Sequence, residues 1–461
     1  LGVPETTTRL PDVTELLAAA VEAVGGAERP GQVEMAEAVA RAIRTGNHLA
    51  VQAGTGTGKS LAYLVPALRH AVEREATVVV STATIALQRQ LVDRDLPRLA
   101  TALKGPLGRE PRFAILKGRR NYLCLHRLDT GAPEEPEDAA LFDPFAVSRL
   151  GREVTRLREW ASDTETGDRD ELVPGVTEQA WRQVSVSARE CLGLARCPKG
   201  TDCFAERARA EAGRVDIVVT NHALLAIDAL QGYQVLPEHD LVIVDEAHDL
   251  VDRVTSVATA ELTANLVSTA ARRCARLVED EIADRLSEAA DGLAMALADS
   301  PVGRWERLGD AAGTVLTAVR DAAWACRTAL GPNRREADDQ ATQRKLALAL
   351  LDEVHDTAVR VLTAFAESDP ALRREVVWLN DEDRRGFVLR VAPLSVAGLL
   401  RDRLFGRSTV VLTSATLALG GAFDALARQW GLPASEPGKP VEGMATAKDP
   451  DPAPKWTGLD V

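Results

Sequence analysis

The chain has 461 residues, 46% apolar and 27% charged, with a net charge of −13. That length exceeds a single compact core, and the charge argues against indiscriminate binding to nucleic acid, though not against local basic patches. No apolar run is long enough to cross a bilayer, and the N-terminal LGVPETTTRLPDV lacks a secretory leader, so no membrane role and a cytoplasmic setting are expected. In that setting clustered cysteines are metal ligands more often than disulfides.

Residues 30–44, PGQVEMAEAVARAIR, place Ala36, Val39, Ala40 and Ile43 on one helical face. A short strand, the glycine-rich turn AGTGTGKS (53–60) and a helix follow; ATVVVSTATIALQRQLV (76–92) then repeats strand, polar break and helix. Such alternation predicts an α/β fold with a parallel sheet covered on both faces. It stops near residue 118, resumes at VDIVVTNHALLA (215–226) and HDLVIVDEAHDL (239–250), and stops again. The stretch 251–372 is rich in Ala, Leu, Arg and Glu, with Ile282, Leu286, Leu293 and Leu297 at helical spacing, and is expected to be an all-helical insertion. The predicted organisation is therefore one α/β domain in three pieces, 1–118, 213–250 and 373–430. It is interrupted by a cysteine-bearing insertion at 119–212 and by the helical one. Residues 431–461, Pro-rich at first, are read as a linker running on toward something further.

In AGTGTGKS, Ala53, Gly54, Thr55, Gly56, Thr57 and Gly58 form a phosphate-binding loop whose backbone N–H groups converge on phosphates at a helix N-terminus. Lys59 is placed to reach the β- and γ-phosphates of ATP, and the Ser60 hydroxyl to ligate Mg²⁺. Ala53 stands where the motif has glycine, and a small residue fits. In LVIVDEAH (241–248) a buried strand ends on Asp245, a Mg²⁺ ligand, and Glu246, which can orient and deprotonate an attacking water. Paired carboxylates at a strand end are common in solvated turns; together with the phosphate loop they point to ATP hydrolysis.

Between Arg98 and Arg127 lie eight basic residues (Arg98, Lys104, Arg109, Arg112, Lys117, Arg119, Arg120, Arg127) against one acid, Glu110, a local balance of +7. A solvated face would look the same. The last of them adjoin Cys124, which is separated by 66 residues from Cys191, Cys197 and Cys203 in CLGLARCPKGTDCF. Four thiolates can hold zinc or an iron-sulfur cluster, and the spacing alone leaves both open. His126 is a competing ligand by position. Cys274 and Cys326 fall in the helical insertion and read as core thiols.

The phosphate loop, the DEAH box and LTSAT (412–416) together resemble the first, RecA-like P-loop motor domain of a superfamily 2 helicase, and the four-cysteine pattern followed by NHALL resembles the DinG branch of the XPD-like iron-sulfur DNA helicases. The resemblance runs from about residue 29 to the end and implies a bacterial ATP-dependent helicase moving 5′ to 3′ on single-stranded or forked DNA, in repair or replication, as a monomer. It implies a 4Fe-4S cluster on Cys124, Cys191, Cys197 and Cys203, adenine contact by Gln32, and coupling of nucleotide state to strand grip by His248, Ser414, Ala415 and Thr416. It further implies single-stranded DNA contact by Thr82, Thr84 and Gln88, whose hydroxyl and amide groups suit phosphate oxygens; Arg119 and Arg120 of the basic run join them. Thr84 can equally cap a helix. A second motor domain, with the arginines that complete the ATP site, is expected beyond Val461, which would leave this chain a weak ATPase. The alternative is an ATP-gated nucleic-acid-binding module with structural zinc that clamps without translocating. An RNA-directed DEAH-box enzyme is disfavoured by the two insertions and the cysteines.

Overall fold

Runs of β-branched residues bounded by polar positions give eleven strands in the computed structural model, which describes residues 10–54, 56–131, 144–230, 232, 235–331, 338–383, 385–418, 420–433 and 455–461. In chain order they are β1 (His48–Gln52), β2 (Thr77–Thr82), β3 (Phe113–Ile115), β4 (Ile217–Asn221), β5 (His239–Asp245) and β6 (Ala260–Leu262). After them come β7 (Gly303–Arg304), β8 (Glu375–Glu382), β9 (Gly386–Pro393), β10 (Thr409–Ser414) and β11 (Trp456–Asp460).

Two compact units result. The first comprises Leu1–Lys117, Arg207–Val257 and Val396–Val461. Its seven-stranded sheet runs β11-β1-β10-β5-β2-β4-β3, every pairing parallel. Side chains alternate across it: Val51, Val78, Val80, Ile217, Val219, Ile243 and Val411 enter one core, and Ala50, Val79, Val218, Val242, Val244 and Leu412 the other. Burial on both faces is why these strands read as continuous apolar runs.

Three helices set the nucleotide side. Helix α1 (Val13–Ala23) starts on a capping box, Asp12 accepting from the Glu15 N–H while Glu15 reaches back. Helix α2 (Pro30–Thr45) opens on proline and closes on Gly46 at φ +70°. Helix α3 (Lys59–Arg74) leaves the phosphate loop directly from Gly58.

The second unit comprises Gly118–Glu206 and Ala258–Ser395. Helices Ala264–Cys274, Asp280–Ala298, Asp310–Leu330 and Asp338–Ala366 pack around a core that takes Leu286, Leu293 and Leu297, with Ile282 at its margin. The expectation of an all-helical insertion is corrected here: β6-β9-β8-β7 form a four-stranded antiparallel sheet. Residues 375–393, expected to belong to the parallel sheet, make its central hairpin, because Val377, Leu379, Leu389 and Val391 send one alternating face into the helical core. The stretch read as a linker also differs: residues 434–454 lie outside the described residues, but 456–460 form β11, paired with β1 from His48 to Gln52. Trp456, 1% exposed, anchors it and donates from Nε1 to the Pro433 carbonyl at 2.9 Å. No helix of the described residues is long and apolar enough to cross a membrane.

Candidate active site and cysteine pocket

The sheet order brings β1, β10 and β5 side by side, so three separate motifs meet at their C-terminal ends. After β1 the chain enters the phosphate loop. Ala53 is fully buried in the core and donates its N–H to the Ser414 carbonyl at 3.0 Å, so the departure from glycine fills space that a methyl group suits. Thr57 Oγ1 closes the loop on the Gly54 carbonyl at 2.9 Å. Gly56 and Gly58 both stand at φ +85°, where a side chain would be strained. A Cβ on Gly58 would also collide with the Gln32 amide. Thr55 lies outside the described residues.

Lys59 Nζ reaches Glu246 Oε1 at 3.2 Å. Glu246 Oε2 accepts from Ser414 Oγ at 2.9 Å, and Ser414 Oγ lies 2.7 Å from His248 Nδ1. One hydrogen-bonded chain thus joins the phosphate loop, the DEAH box and TSAT. Burial works against the Glu246 anion, but the Ser414 hydroxyl and Lys59 outweigh it and hold its carboxyl below the usual value. Glu246 stands at φ +58°, a left-handed conformation costing a non-glycine residue about 1 kcal/mol or more. Asp245 is the opposite case: burial pushes its carboxyl up to about 6, against the pull of Lys59. It accepts from the Tyr63 hydroxyl and the Glu246 N–H, each at 3.1 Å. Ser60 sits half-buried at the start of α3.

Beyond Ser414 the expected coupling segment is partly open, with Ala415 half-buried and Thr416 exposed. Sequence reading passed over Gln52, although its Oε1 accepts from the Leu417 and Ala418 N–H groups at 2.8 and 2.7 Å and its Nε2 donates to Asp460 at 3.1 Å. It passed over Tyr63 as well. A polar residue closing an apolar strand, and a tyrosine one helical turn after the loop lysine, were the signals available.

Several expected contacts are placed differently. Gln32, expected at adenine, is 4% exposed and donates to the Gly58 carbonyl at 3.1 Å, bracing the loop. Thr82 is fully buried and Gln88 1% exposed, so neither faces solvent as a strand contact must. The outward surface there is Thr84, Ile85 and Ala86; Thr84 accepts from the Leu87 N–H at 3.3 Å and caps the short helix Ile85–Arg89. Of the basic run Arg98, Arg112 and Arg120 are exposed, while other members are paired or buried. Lys104 pairs with Glu110, Arg109 with Asp216 and Arg127 with Glu190. Lys117 is buried, and Arg119 pairs with Glu206 rather than facing outward. Arg120 is exposed, its carbonyl accepting from Trp181 Nε1 at 2.6 Å.

In the second unit Cys124, Cys191, Cys197 and Cys203 line one apolar pocket with Tyr122 and Leu194. Main-chain hydrogen bonds, long-range and local, hold their backbone. The Cys124 N–H donates to Val184 O at 2.7 Å and the Cys197 N–H to Gly193 O at 3.0 Å; Gly193 needs φ +82°, and a Cβ on Gly200 would strike the Leu194 carbonyl. Arg119 lines the same pocket, and Lys345 Nζ donates to the Cys191 carbonyl, so two cations stand where four thiolates would put negative charge. His126 does not line it. Among the described residues no three His, Cys, Asp or Glu side chains are gathered closely enough to hold a metal ion as they stand. Burial raises the Cys124 thiol to about 11.

The DEAD/DEAH box helicase family profile matches residues 31–107, the stretch carrying the phosphate loop. Over 458 residues, 97% of the chain, it is 56% identical to the ATP-dependent helicase DinG of Mycobacterium tuberculosis. This chain belongs to the DinG helicase family. It spans 66% of that relative's length. The ATP-dependent DNA helicase YoaA of Haemophilus influenzae is 30% identical over 88% of the chain and 62% of its own length. Among solved structures an XPD helicase covers 94% of this chain and 62% of its own at TM-score 0.46 and 15% identity, a likeness too loose to carry argument.

Proposed function

We propose that this chain is the nucleotide-binding part of an ATP-driven DNA helicase that moves 5′ to 3′ on single-stranded or forked DNA, acting as a monomer in the bacterial cytoplasm. The observation that carries the reading is the hydrogen-bonded chain from Lys59 through Glu246 and Ser414 to His248. It links a phosphate cation, a water-orienting carboxylate and a relay serine drawn from three motifs. In the proposed cycle Lys59 exchanges Glu246 for the β- and γ-phosphates of ATP, which frees the Glu246 carboxylate to orient a water and take its proton. Ser60 and Asp245 would hold Mg²⁺, which neutralises charge on the phosphoryl oxygens when bound. The exchange also changes what Ser414 and His248 share, carrying the nucleotide state toward Ala415, Thr416 and the exposed Thr84 surface. Gln32 is assigned to shaping the loop. Calorimetric titration with a non-hydrolysable ATP analogue and Mg²⁺ should detect binding that Lys59→Ala weakens by about tenfold or more. The complete protein should unwind a 5′-tailed duplex and lose that ability with the same substitution; unwinding that survives it would sink the reading.

A 4Fe-4S cluster on Cys124, Cys191, Cys197 and Cys203 is supported by the donor set, four thiols on the wall of one apolar pocket with cations beside it. Such a cluster supplies a rigid link among separate backbone segments. Anaerobically purified chain should contain iron and sulfide and absorb broadly near about 400 nm, both lost in Cys197→Ser; zinc in place of iron would favour the clamp alternative.

A further inference from the structure

Behind the DEAH carboxylates lies a buried histidine that the mechanism above does not use. His222 opens the helix His222–Leu230 immediately after β4 and is 1% exposed. Its Nδ1 lies 2.7 Å from Ser81 Oγ, itself fully buried at the end of β2. The register makes this neighbourhood compact: Ser81 stands opposite Thr220 on β4 and Val244 on β5, so Thr82, Asn221 and Asp245 end their strands side by side. The ring's other nitrogen, Nε2, is buried with no hydrogen bond of good geometry, although the main-chain acceptors of Glu246 and Asp245 already act on the ring. A buried imidazole nitrogen left without a partner carries a desolvation cost of about 1–3 kcal/mol. A small shift of the Glu246 peptide, held at φ +58°, would complete a well-formed bond and offset that cost.

We propose that His222 is a positioning residue tying the end of β2 to the Asp245–Glu246 peptide, so that strand binding at the Thr84 surface and nucleotide at Lys59 sense each other through it. This is a second route, separate from His248 and Ser414. It rests on the proposed function, because it needs both ligands to bind. Burial lowers the imidazole to about 4, so the ring is neutral near pH 7, with one N–H to give and one lone pair to receive. Ser81 Oγ can serve as donor or acceptor, which leaves Nε2 free to take either role toward the peptide.

The two ring nitrogens can be separated by substitution. His222→Asn retains a polar atom near Nδ1 for Ser81 and lacks one at Nε2; His222→Gln does the reverse. The affinity of the chain for a fluorescein-labelled single-stranded oligonucleotide is measured by anisotropy with and without Mg²⁺ and a non-hydrolysable ATP analogue. In the unsubstituted chain the analogue should change that affinity by about fivefold or more, the ordinary scale of coupling between sites. Both variants should bind the analogue within about threefold of the original while the coupling factor falls to within about twofold of unity. A merely structural role would lower the melting temperature and weaken each ligand while leaving the coupling factor unchanged, and that result overturns the proposal. An unsubstituted chain that binds both ligands without coupling overturns it alone. A chain that binds neither overturns the proposed function and this inference together.

Discussion

Asp245 and Glu246 are chemically alike and adjacent, yet their environments separate them. Glu246 has two donors and stays an anion, whereas Asp245 has burial as its main influence and a carboxyl near 6. An Asp normally ionises near 3.8. The raised value means that Asp245 favours the fold fully only below that point and loses the advantage as pH rises through about 6. Asp245→Asn should therefore stabilise the ligand-free chain by about 1–3 kcal/mol at pH 8 and not at pH 4, read by denaturant melts at both values. An equal gain at both would refute the assignment of cause. The Mg²⁺ ligation proposed for Asp245 needs the anion, so Mg²⁺ affinity should fall as pH drops through the same region. The placement of this cluster was half legible in the sequence. The motifs identify Lys59, Asp245, Glu246, His248 and Ser414, because loop glycines and paired carboxylates have local signatures. Gln52, Tyr63 and His222 have at most weak ones, since their partners lie far away in sequence. Thr82 and Gln88 show the converse: their polar types suit an exposed contact, while the pleat of β2 and the short helix Ile85–Arg89 bury them.

The phosphate loop depends on more than its own glycines. Gly58 lies under the Gln32 amide from α2, so the loop is pressed into shape by a neighbouring helix. Gly58→Ala brings a collision and a positive-φ penalty together and should abolish binding of the ATP analogue, with a loss of stability of about 1–3 kcal/mol. A variant with unchanged affinity would show that the loop re-forms without that bracing. The parallel strands were legible because burial on both faces leaves an unbroken apolar run. The hairpin of β8 and β9 was misplaced since VVWLN and GFVLRVA look alike in either sheet. Length and composition do not say which core an alternating strand will meet; pairing does.

At the scale of the whole chain, the phosphate loop and DEAH box belong to the first unit and the four cysteines to the second. Stripping the proposed cluster should therefore leave analogue affinity within about threefold of its original value while exposing residues 118–206 to limited proteolysis, since metal-linked small lobes draw much of their folding energy from the metal. Lost nucleotide affinity on iron removal would contradict this division. The discontinuous path of the first unit was readable from where alternation stopped and restarted. The closing strand was not, because a five-residue segment after a Pro-rich stretch carries little pattern of its own.

That closing strand, β11, lies at the margin of the sheet, and beneath it β1 is bonded on both sides. Without β11 the five residues His48–Gln52 would present an open row of N–H and C=O groups next to the phosphate loop, a template for pairing with another copy of the chain. A recombinant chain ended before Trp456 would thus be prone to self-association, and its solubility, rather than its chemistry, would be the first property to suffer.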